Sequence, residues 1–126
     1  MIITRYQINK AKNRVKKYFI NQKKLKNKSK LYKIACFITR SKNIKIDYER
    51  KLINNIYFIT DIINNHWAET DGNAIYINNV KNYNKNLLYY TILHECIHGM
   101  IRRSDNSELS EFTEHKLMYY LDKKLI

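Results

Sequence analysis

The feature that most constrains this chain is a ten-residue stretch near its C-terminal end, Thr91-Ile92-Leu93-His94-Glu95-Cys96-Ile97-His98-Gly99-Met100. It holds no proline, no β-turn signal and a dense set of apolar residues. Tyr89, Ile92, Leu93, Cys96 and Ile97 surround the polar positions, so the stretch is expected to form a buried helix. On a helix, residues i and i+4 share a face. His94 and His98 then aim their ring nitrogens at one point, which is the arrangement a zinc ion takes from two imidazoles. Glu95 lies beside the first of them, where its carboxylate reaches solvent bound to such an ion rather than the ion itself. A zinc-bound water has a pKa near ~7 instead of ~15.7, so Glu95 is expected to act as general base.

A catalytic zinc normally takes a third protein ligand. The continuation H-x-x-G-x-x-H fails, because Ile101 and Ser104 stand at the positions it needs. The closing segment offers Glu111, Glu114 and His115. If helices 87–103 and 107–124 run antiparallel around a turn at 104–107, heights follow from the helical rise. His98 then stands ~7.5 Å and His94 ~13.5 Å above the turn, Glu114 ~10.5 Å, His115 ~12 Å and Glu111 ~6 Å. Glu114 also falls between Leu117 and Leu121 on the apolar arc, where a bare carboxylate is costly. Glu114 is the expected third ligand, with His115 as the alternative.

The rest of the chain supplies context. Residues 5–30 read as a basic amphipathic helix on Ile8, Ala11, Val15, Tyr18 and Leu25. Tyr32 to Thr39 is expected as a strand. Asp47 is expected to cap a helix over 48–64, with a strand at Ile56 to Ile59 as the rival. Asp71-Gly72 marks a turn before a strand at Ala74-Ile75-Tyr76-Ile77. Asp105 and Glu108 are spaced as a capping box for the last helix. Tyr76, Tyr119 and Tyr120 could each polarise a substrate carbonyl, and the sequence does not choose among them. His66 reads as structural or exposed.

Charge is unevenly placed. Residues 1–51 hold 17 Lys/Arg against 2 Asp/Glu, and residues 52–126 hold 7 against 9. The abundance of Lys, Asn, Ile and Tyr fits an AT-rich coding genome of viral, phage or reduced bacterial type, but that bias would spread lysine evenly. The basic half therefore adds nucleic acid as an expected partner. The cysteines Cys36 and Cys96 form no disulfide framework and suit a reducing compartment. No apolar run approaches the ~18 residues of a membrane span, and the N-terminus lacks the apolar core of a signal peptide. The expectation is an intracellular or intravirion protein, not secreted and with no membrane partner.

Taken together, these residues resemble the small HExxH metallopeptidases. Trp67 to Leu125 looks like the minimal zincin core of edge strand, HExxH helix and ligand-bearing helix. With Glu114 as third ligand the chain resembles a minigluzincin; with His115 it resembles the SprT-like group, which cleaves proteins crosslinked to DNA. The length fits a single α+β domain over 1–126, with a basic helical extension at 1–30. The resemblance covers about half of the chain and implies a catalytic core at 66–126, with a small sheet packed on the HExxH helix. It implies Zn2+ as cofactor, peptide-bond hydrolysis as activity and a protein or peptide substrate. That substrate would add as a strand to Ala74, Ile75, Tyr76 and Ile77. The rival reading is a non-catalytic zinc-containing nucleic-acid-binding or virion protein.

Overall fold

A computed structural model of the chain describes residues 3–59, 66–78 and 83–125, and its architecture is α+β. Helix α1 spans Arg5–Leu25. Thr4 starts it with a capping box: its hydroxyl accepts from Gln7 N at 3.1 Å, and Gln7 Oε1 accepts from Thr4 N at 2.8 Å. Ile8, Ala11, Val15 and Phe19 recur every three or four residues and are buried. That stripe lies along the central helix α3, Lys85–Met100. Lys26, at φ +51°, ends α1 earlier than the expected residue 30.

The strand expected over 32–39 is instead helix α2, Lys30–Thr39. Ser29 caps it by accepting from Tyr32 N at 3.1 Å. Leu31 and Ala35 make one buried stripe against the last helix, while Phe37 is 71% exposed. The β-branched composition suggested a strand, but an i, i+4 burial pattern behind a serine cap decides for helix.

The expected helix at 48–64 is also absent. Only Leu52–Asn54 makes a single 3-10 turn, and Ile56–Ile59 forms strand β2, as the rival reading had it. Asp47 caps no helix; its N–H donates to Met100 O at 2.7 Å. Thr60 and Ile63 lie outside the described residues. Strand β1 is Ile44–Ile46, β3 is Ala68–Thr70 and β4 is Ile75–Asn78. β4 pairs parallel with β2 and antiparallel with β3, giving the order β2-β4-β3. β4 is therefore the middle strand and not the edge. Ile75 and Ile77 are fully buried, and the main chain is engaged on both sides. The turn before it is as expected: Gly72 takes φ +89° while Asp71 Oδ1 accepts from Asn73 N and Ala74 N.

Asn84 caps α3 by accepting from Leu87 N at 2.8 Å. α3 buries Leu88, Tyr89, Ile92, Leu93, Cys96, Ile97 and Met100, which face more than one direction, so it is the helix around which the others pack. It ends at Met100 because Ile101–Arg103 leaves as strand β5 and pairs antiparallel with β1. The last helix, α4, spans Glu111–Leu121 and buries Leu117, Met118 and Leu121. Its cap is Ser110, accepting from Thr113 N at 3.1 Å, not Asp105. Asp105 instead accepts from Ser107 N within its own turn, and Glu108 bridges to Arg102. Lys123–Leu125 closes the described chain as a 3-10 turn. Among the described residues, no helix is long and apolar enough to cross a membrane.

Gly99 is where the 3-10 turn meets α3. A Cβ there would lie 2.5 Å from Leu52 Cδ2, and Leu52 is 1% exposed with no room to retreat. Gly99→Ala is expected to destabilise the fold by about 1–3 kcal/mol through overpacking. Leu52→Ala alone should cost about 2–5 kcal/mol. The double variant should lose less than the sum of the two in urea unfolding, because removing the leucine makes room for the methyl.

Candidate metal centre

His94 and His98 lie one turn apart on α3, and their Nε2 atoms are 3.0 Å apart. α4 brings His115 to the same point, with its Nε2 3.0 Å from that of His98. These three histidines form a group that could hold a metal ion. Glu114, the expected third ligand, lies behind the cluster. Its Oε1 is 3.3 Å from His98 Nδ1, the far side of that ring.

The surroundings fix the ring tautomers. His94 Nδ1 faces the carbonyl oxygen of Leu125, which only accepts, so Nδ1 carries the proton and donates it. His98 Nδ1 faces the Glu114 carboxylate and donates in the same way. In their neutral forms the two rings turn bare Nε2 lone pairs toward each other at 3.0 Å. A cation between them removes that repulsion. The spacing suits it: ligands ~2.0–2.1 Å from a tetrahedral centre are about 3.3 Å apart. An acceptor on the opposite nitrogen is also what orients a metal-binding imidazole.

Protonation fits the same geometry. Burial pushes His94 down to about 4, so its ring is neutral at ordinary pH. Burial also lowers His115, with the nearby His98 adding to the effect. Burial opposes charge on His98 too, but the hydrogen bond to Glu114 and the negative charges of Glu114, Glu95 and Glu111 together outweigh it and raise His98. Glu114 is raised by burial, against the pull of His98. Glu95 is 6% exposed, and burial pushes its carboxyl up to about 7.

The histidines and Glu95 line an open cleft of about 940 Å³. One wall is β3, with Ala68, Glu69 and Thr70, continued by His66 and Trp67 before it and Asp71 and Gly72 after it. β3 lies at the end of its sheet, so its outer edge has no strand partner among the described residues. Ala74, Ile75, Tyr76 and Ile77, expected to bind substrate, do not line the cleft. Tyr76 donates its hydroxyl to Asp71 at 3.1 Å, and Tyr119 and Tyr120 are exposed on α4 away from the cleft. The sequence reading missed Leu125, which acts through its backbone and leaves no side-chain signal. It also missed Arg102 and Tyr90, which line the cleft without belonging to a motif.

No family model, curated protein or solved structure matches the chain.

Replacing His94, His98 or His115 by Ala should abolish stoichiometric metal binding, read by elemental analysis of purified protein. Glu114→Gln should retain the metal with affinity weakened by about 10–100-fold, as for a group that orients a ligand. Loss of metal in Glu114→Gln with retention in His115→Ala would reverse the assignment.

Proposed function

We propose that this chain is a zinc-dependent metalloendopeptidase with His94, His98 and His115 as the metal ligands and Glu95 as the general base. The observation that carries the reading is the convergence of three imidazole nitrogens beside a buried carboxyl in an open cleft. An all-nitrogen triad with an open fourth position suits catalytic zinc better than the hard cations, which prefer oxygen. Zinc, when bound, supplies an acidified water and a Lewis acid at the substrate carbonyl.

The chain's own residues do the rest. Leu125 and Glu114 hold the two α3 imidazoles in their ligating tautomer. Glu95, with a carboxyl near neutrality, is poised to accept a proton from the attacking water and return it to the leaving amine. The outer edge of β3, which has no strand partner among the described residues, offers main-chain donors and acceptors to an extended peptide. On this reading β3 takes the substrate-binding role that the sequence assigned to residues 74–77. A structural zinc site would have no use for an open cleft or for a carboxyl held at Glu95.

Glu95→Gln should keep the metal and lower peptide hydrolysis by at least about 100-fold. Unchanged hydrolysis in that variant would defeat the reading.

A nucleic-acid partner has its own support. No Asp or Glu precedes Asp47, and Lys10, Lys16, Lys17, Lys23 and Lys24 are exposed on α1. Among the described residues one acidic partner is present there, Glu49 at 2.7 Å from Lys23. The full-length protein should bind duplex DNA with affinity falling about 100-fold between 50 and 200 mM salt if four phosphates are neutralised. Lys16→Glu with Lys17→Glu should weaken it further. Salt-insensitive binding, or none at low salt, would remove nucleic acid from the account. Binding by a metal-loaded protein that hydrolyses no peptide would favour the non-catalytic nucleic-acid-binding alternative.

A further inference from the structure

We propose that Arg102, backed by Arg50, forms a carboxylate-binding subsite at one end of the cleft. It would recognise the free C-terminus or an acidic side chain of a bound peptide. The proposal rests on the peptidase reading and names a class of substrate for it.

Arg102 lines the cleft, and its side chain is only 13% exposed. Its Nε is buried and has no hydrogen-bond partner among the described residues. Its ion pair is with Glu108, through Nη1 at 3.5 Å, and the Glu108 side chain is 80% exposed. Such a long pair with a solvated carboxylate contributes little.

A second guanidinium stands close by. Arg50 Nε donates to the Gly72 carbonyl. The point where a Gly72 side chain would begin is 2.8 Å from Arg50 Nη2 and 3.7 Å from Arg102 Nη2. Glycine at this position thus opens the space in which the two cations approach. Like charges drawn together out of water are costly unless an anion joins them.

Three of the protein's own carboxylates in this region are engaged elsewhere. Asp71 accepts from Asn73 N, Ala74 N and Tyr76 Oη. Glu114 is engaged with His98, and Glu49 with Lys23. A guanidinium presents parallel N–H donors that match a carboxylate in bidentate fashion.

The location fits a peptide terminus or side chain. Arg102 lies just past the C-terminal end of α3, near Gly72. The cleft's other cation among the described residues, Lys124, lies over Tyr90 on the N-terminal side of the histidines. A strand laid along β3 toward the Asp71-Gly72 turn runs to Arg102.

The test uses full-length, zinc-loaded Glu95→Gln protein and four fluorescein-labelled octapeptide pools. Two pools differ only in a free or amidated C-terminus. Two amidated pools carry Glu or Gln at one fixed position, scanned along the peptide. Binding is read by anisotropy. A preference of about tenfold or more is expected for the free-acid pool or for a Glu pool, and which one responds identifies the source of the carboxylate. Arg102→Gln should bring that ratio to about one with zinc content unchanged, and Arg50→Gln should reduce it. Arg50→Gln carries the test if Arg102→Gln does not fold. Equal binding of all pools, or a preference that survives Arg102→Gln, overturns the subsite and leaves the peptidase reading standing. Failure to bind any pool removes both.

Discussion

The site depends on two hydrogen bonds made on the far side of the imidazoles. His94 gives its Nδ1 proton to the Leu125 carbonyl, and His98 gives its own to Glu114. Each bond selects one tautomer and leaves the opposite nitrogen bare. Without them the rings would be free to exchange tautomers and turn, and the 3.0 Å approach of the Nε2 atoms would have no chemical consequence. With them, three nitrogens from two helices define a point that suits a cation. α4 supplies the third imidazole and a clamp at adjacent positions, His115 and Glu114, and the 3-10 turn after it returns a carbonyl to α3.

Charge is distributed to match this construction. The cleft is lined entirely by residues from His66 onward, and six of the chain's eleven acidic residues are among them: Glu69, Asp71, Glu95, Glu108, Glu111 and Glu114. The basic half takes no part in the lining. It contributes the stripe of α1 that supports α3 and keeps its lysines at the surface. The same protein thus carries an acidic cleft that could hold a metal ion and a basic, solvent-exposed helix on separate parts of its sequence.

Much of the fold was legible because it depended on local pattern. The stripe of α1, the length and apolar surroundings of α3, and the glycine turn at 71–72 each follow from nearest-neighbour spacing and backbone sterics. Where pairing partners were distant, local pattern misled. Residues 32–39 had strand composition, yet burial against α4 made them helical. Residues 56–59 fitted both a helix over 48–64 and a strand of their own, and a parallel partner at 75–78 decided for the strand. Ala74 to Ile77 was correctly identified as a strand but not as the middle one, since strand order is a property of the whole sheet.

At the site, sequence alone determined that His94 and His98 share a face with Glu95 beside them, because helical geometry leaves no alternative. It also determined that Glu114 is buried and needs a partner, because its neighbours on α4 are apolar. Only the tertiary structure decided what that partner is. β5 ends α3 at Met100 and Ser110 starts α4, so the simple antiparallel count of heights does not apply. The carboxylate meets an imidazole nitrogen instead of the metal position, and His115 takes the place beside the other two rings. A few residues of non-helical chain between two helices set that register, and the pairing of β5 with distant β1 fixes where those residues lie.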